Sequence, residues 1–97
     1  MIIFPATPDQ WGLLARFLLE RAGVQPSADL KLMGWMDESK RVRVVVGFNG
    51  FMGKVCQMHV AMEDYAFSPR KMLKRAFEVA FDDYRREQVI GLVNSKN

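Results

Sequence analysis

A strand signal at Val55–Met62, an amphipathic stretch from Pro69 to about Tyr84 and a second apolar strand signal at Val89–Val93 follow one another closely. A helix of that length between two strands cannot close a hairpin. It carries the chain back to the end where it started, so the two strands lie parallel, joined by a right-handed crossover. The sheet is therefore mixed, with helices covering it.

The rest of the chain fits around that unit. Ile2 to Phe4 reads as a short strand stopped by Pro5. Thr7-Pro8-Asp9-Gln10 fits a capping box, with Thr7 as N-cap, Pro8 at the first helical position and Gln10 reaching back to the cap. Trp11, Leu14, Phe17, Leu18 and Ala22 recur at helical spacing, and Gly23 closes the helix. Leu30 to Met36 has the length of a strand or a short helix; Gly34, Trp35 and the turn Asp37-Glu38-Ser39-Lys40 favour a strand. Arg41 to Phe48 is the clearest strand, with Val42, Val44 and Val46 pointing one way and Arg43 and Val45 the other. Asn49-Gly50 signals a hairpin turn, and Gly53 leaves room for a longer loop. The predicted order is β-α-β-β-β-α-β, with the second helix burying Leu73, Ala76, Phe77, Ala80, Phe81 and Tyr84.

That second helix carries its charges in an unusual order. Ser68 is placed as N-cap and Pro69 at the first helical position, followed by Arg70, Lys71, Lys74 and Arg75; Glu78, Asp82 and Asp83 come later. A helix N-terminus bears roughly half a positive charge, so acids are favoured there and bases are not. Two readings follow: an anion held at that end by backbone amides and cations together, or a solvated basic face.

The 97 residues make one domain, and 49% hydrophobic with 26% charged residues is ordinary globular composition. A net charge of +3 with interspersed signs, no aromatic platform and no binding motif argues against a nucleic-acid partner. Cys56 is the single cysteine, which excludes an intrachain disulfide and favours a reducing compartment. No apolar run approaches the ~20 residues that span a bilayer, and the opening Met-Ile-Ile-Phe-Pro reads as a strand rather than a leader. A cytoplasmic protein without a membrane partner is expected. His59 is the one histidine and has no evident metal-ligating companions, so no metal is expected.

The chain resembles the GNAT superfamily of acetyl-CoA-dependent N-acetyltransferases, small bacteriophage-encoded members above all. The likeness is carried by Val44-Val45-Val46-Gly47-Phe48, by Cys56-Gln57-Met58-His59-Val60-Ala61 and by Val89 to Asn97. The family pattern V-x-P-x-x-R-x-x-G-x-G-x-x-L, with its valine on Val60, places its leucine on Leu73 without a gap. Its arginine falls on Tyr65 and its glycines on Ser68 and Arg70. The implied fold is α/β (α+β): a GNAT-like mixed, mainly antiparallel sheet flanked by helices, in a chain that stops before the last helix and strands of the full fold.

The resemblance implies acetyl transfer from acetyl-CoA to an amine of a protein or small molecule, with the cofactor between splayed central and last strands. It places backbone amides of Val60, Ala61 and Met62 near the acetyl group. Ser68, Arg70, Lys71, Lys74 and Asn94 fall near the rest of the cofactor, the cations standing in for the missing glycine amides. Glu63 is the expected base for the acceptor amine, ahead of Asp64, and His59 lies close to the expected acetyl position. The alternative is an inactive GNAT-like phage protein that binds and inhibits a host protein. Either way the apolar Val89–Val93 edge is expected to be covered, by a second copy in a homodimer or by a host protein.

Overall fold

The computed structural model describes residues 1–63 and 70–93, with backbone alone at 92–93. Five strands form one sheet in sequence order: β1 (Ile2–Ile3), β2 (Lys31–Met36), β3 (Val42–Met52), β4 (Val55–Met62) and β5 (Gln88–Val93). β1 to β4 are antiparallel, and β5 runs parallel to β4 from Val55–Gln88 through Val60–Val93. The predicted meander and crossover are both present. This is a mixed α+β fold.

Helix α1 (Pro8–Ala22) starts at Thr7, whose hydroxyl accepts the Gln10 amide at 3.2 Å, and stops at Gly23, left-handed at φ 70°. Gln10 does reach back, but its Oε1 accepts from Ala6 at 2.8 Å rather than from Thr7, since the side chain extends past the cap. Helix α2 (Arg70–Glu78) runs on into a wider π turn at Val79–Asp83. Ser68 and Pro69, its expected cap and first residue, lie outside the described residues.

The helices cover opposite faces. Leu14, Ala15 and Leu18 of α1 pack on Leu30, Leu32, Val42, Val45 and Ala61. Met72, Ala76, Val79 and Ala80 pack on Met33, Val44, Val46, Phe48, Cys56, Met58 and Val60. Burying aliphatic side chains of this size contributes about 1.5–3 kcal/mol each, so both faces are needed to hold a sheet of this length.

Three expectations are corrected here. Val42 shares the α1 face with Val45, not the face of Val44 and Val46. The cause is a bulge: Trp35 pairs with Val44 but Met36 with Val42, leaving Arg43 as the extra residue and reversing the alternation beyond it. The hairpin turn is Gly53-Lys54, with Gly53 at φ 58°, while Gly50 at φ 61° sits in a second bulge inside β3. On α2, Met72 and Val79 take core positions expected for Phe77 and Phe81, which stay exposed at 42% and 41%. Leu73 and Tyr84 are half-buried against that core. The π turn accounts for the second exchange, because an extra residue per turn rotates everything after it.

α1 is seated by an absence of side chain. A Cβ on Gly47 would lie 2.5 Å from Leu18 Cδ2, 3.2 Å from Leu30 Cδ1 and 3.4 Å from Leu32 Cδ2. Leu18 is fully buried and has little room to yield. Gly47→Ala should therefore destabilise the protein by about 1–3 kcal/mol in urea denaturation. Gly91→Ala, where an added Cβ meets no atom within 4 Å, should change stability by less than about 0.5 kcal/mol. Equal effects from the two would show that α1 does not rest on Gly47.

Candidate functional site

The crossover decides where charge gathers. α2 crosses the sheet with β2 as its nearest strand and starts toward the end at which β4 and β5 finish, where Ile2, Trp35 and Met62 join its core, so Arg70, Lys71 and Lys74 lie toward that end of the sheet. All three are exposed, the first turn contains no acid, and no described acid pairs with them. Arg75 is committed elsewhere, to Glu78 at 3.7 Å and Asp83 at 3.4 Å. Asp64, Tyr65, Ser68 and Asn94 lie outside the described residues.

Glu63 follows β4 at the same end and is already occupied. Its amide donates to the Arg43 carbonyl at 2.9 Å. Arg41 grips its carboxylate with two nitrogens, Nε at 2.9 Å from Oε2 and Nη2 on Oε1, and Arg43 Nε lies 3.8 Å from Oε2. Arg43 also reaches Asp37 at 3.4 Å. Asp37 accepts the amides of Arg41 and Ser39 and the Ser39 hydroxyl, and these bonds, led by the Arg41 amide, hold its carboxyl below the ordinary range. An amine seeking Glu63 as its base must displace Arg41 first.

His59 stands apart from this cluster. Four residues of strand, about 13 Å, separate it from Glu63, and Gly47 is its partner across the ladder. Its Nε2 lies 2.8 Å from Asn49 Oδ1, which assigns Nε2 as the protonated nitrogen, and burial pushes its pKa below 6.5. The two expected catalytic side chains do not share a site.

The expected backbone donors divide by register. Glu63 donates to Arg43, so by antiparallel alternation Ala61 also directs its amide to β3, whereas Val60 and Met62 direct theirs toward β5. Val60 lies within the paired stretch, and Met62 lies past the last described pair. The expected splay between β4 and β5 is absent over Val55–Val60, where every residue is in register with β5. Both strands are continuous there, and no bulge interrupts the ladder.

The arginine pair on Glu63 and the Asn49 partner of His59 were not anticipated. Taking Asn49 as a turn residue hid its place on β3, opposite Gln57 and beside His59. Cys56 is fully buried, and that burial raises its thiol pKa, which leaves it a packing residue. Among the described residues no three His, Cys, Asp or Glu side chains converge as a metal site, and no helix is long and apolar enough to cross a membrane. A groove of about 440 Å³ between β1 and α1, lined by Ile3, Phe4, Leu13 and Met36, holds none of the anticipated site residues.

The His59 shift has a sign that can be checked. Its folded pKa lies below the unfolded value, so the unfolded chain binds more protons. The stability it contributes is complete above pH 6.5 and is lost as pH falls through the folded pKa. Wild type minus His59→Gln stability should therefore shrink between about pH 7.5 and pH 5. A His59 ring titration by NMR at or above pH 6.5 would contradict the burial described here.

No protein-family model matches the chain, and no curated protein is similar enough in sequence to serve as a relative. Among solved structures, the chain is similar to the tetramutant of the BH1408 protein from Bacillus halodurans. The TM-score is 0.57 at 10% identity, over 100% of this chain and 85% of that one. At that identity the likeness establishes a shared fold and nothing about chemistry.

Proposed function

We propose that this chain is a GNAT-like protein that holds the phosphates of acetyl-CoA at the basic end of α2 and transfers the acetyl group to an amine. The observation that carries the reading is the position of Arg70, Lys71 and Lys74: exposed, unpaired among the described residues, and on the helix end that lies toward the end of the sheet at which β4 and β5 finish. Helix amides and cations converging on one end suit a pyrophosphate. Acetyl-CoA would supply an activated acyl thioester. Arg70 and Lys71 would hold its phosphates as the main cations, with Lys74 one turn on. Met62 offers a backbone N–H toward β5 for an acyl oxygen, and Glu63 would orient the acceptor amine once freed from Arg41.

A second reading is favoured by two observations. β4 and β5 stay paired through Val60–Val93, and Glu63 is saturated by arginine. Both suit an inactive GNAT-like protein that binds a host protein. Its contact would be β5, an edge strand among the described residues, on which Ile90 is half exposed.

Calorimetry with acetyl-CoA and with CoA separates the two. The acyl-CoA reading predicts binding that weakens at least tenfold in Arg70→Ala/Lys71→Ala, since a charge-assisted hydrogen bond contributes about 1.5–3 kcal/mol. Binding unchanged in that variant would place the cofactor elsewhere. No heat with either ligand would leave the host-protein reading.

A further inference from the structure

The outer face of α2 has features that phosphate binding does not use. Phe77 and Phe81 are 42% and 41% exposed and lie stacked on each other, centroids 6.2 Å apart with ring planes 13° apart. Lys74 is exposed on the N-terminal side of this pair and Asp82 on the C-terminal side, and neither has a partner among the described residues. The face therefore runs from basic through aromatic to acidic, and the helix dipole points the same way. Cations near the positive end and acids near the negative end each oppose the helix that carries them. A second helix running antiparallel relieves both.

We infer that this face is a two-fold contact with a second copy of the chain. A surface that is basic at one end and acidic at the other is its own complement when turned around, as an isologous interface requires. With the axis near Glu78, whose carboxylate is paired with Arg75 of its own helix at 3.7 Å, Lys74 of each copy stands opposite Asp82 of the other, and the four phenylalanine rings pack between the two ion pairs. Asp83 and Arg75 stay within their own copy, bonded to each other. Lys74 serves both readings, whereas Arg70 and Lys71, the main cations of the cofactor reading, extend past the helix overlap, so the contact leaves that end open. An anionic membrane is a poorer match, since Asp82 and Glu78 would face it. One helix pair lies below the roughly 1,200 Å² of a stable interface, so a dimer of roughly micromolar affinity is expected.

Sedimentation velocity on the whole chain across a concentration series tests this. Wild type should dimerise, and Phe77→Ser/Phe81→Ser should be monomeric with an unchanged circular dichroism spectrum. Lys74→Glu and Asp82→Lys should each weaken the dimer at least about tenfold, because each puts two like-charged pairs across the axis. Mixing these two single variants should restore a heterodimer, since every pair across the axis is then opposite in sign. That rescue identifies the antiparallel register and also shows that both variants are folded. A wild-type monomer at about 1 mM, a dimer indifferent to the phenylalanines, or no recovery on mixing would overturn the inference.

Discussion

The parallel pairing of β4 with β5 is the interaction on which the remaining architecture depends. Six successive residue pairs, from Val55–Gln88 to Val60–Val93, fix β5 beside β4. Once they lie parallel, the connecting chain must cross one face of the sheet, and α2 is that crossover. Its buried stripe, Met72, Ala76, Val79 and Ala80, then has one place to go, over Val44, Val46, Phe48 and Val60. That face is closed by α2, so α1 belongs on the other, where Gly47 makes room for Leu18. The same geometry turns the basic end of α2 toward the end of the sheet at which β4 and β5 finish. Charge placement is here a product of topology.

The irregularities of the sheet shape its polar end. Without the bulge at Arg43, strand alternation would carry its side chain under α1, where Val42 and Val45 pack. The bulge instead frees it to bridge Asp37 and Glu63. The Asp37 turn, closed by bonds from Ser39 and Arg41, holds Arg41 where it reaches Glu63. A buried or half-buried carboxylate needs such partners. The same partners withhold it from chemistry, which weighs against Glu63 as a proton acceptor.

Much of this fold was legible in the sequence because its signals were local and mutually consistent. Thr7, Pro8 and Gly23 mark both ends of α1 through caps that act within a few residues. The valine-rich run and the strand–helix–strand order likewise required no long-range information. The misreadings share a cause. Val42 was misplaced because a bulge is a property of two paired strands, and one strand read alone shows only unbroken alternation. Asn49-Gly50 has turn chemistry, but Gly50 spends its left-handed conformation inside β3 and leaves the turn to Gly53. Phe77 and Phe81 fit a helical period as well as Met72 and Val79 do, so hydrophobicity could not choose the buried face. The candidate site was legible in its cations, which are close in sequence. Its arginine-bound glutamate depends on a register spanning 22 residues and was not.

The proposed function is a matter of place: an acyl-CoA would dock at the basic end of α2, toward the end of the sheet at which β4 and β5 finish. A backbone amide NMR titration with CoA reads place directly, independent of affinity. The account predicts shifts concentrated at Arg70, Lys71 and Met62, with the α1 face around Leu14 and Leu18 unmoved. Shifts centred on the β1–α1 groove at Phe4 and Leu13, or none at saturating CoA, would contradict it.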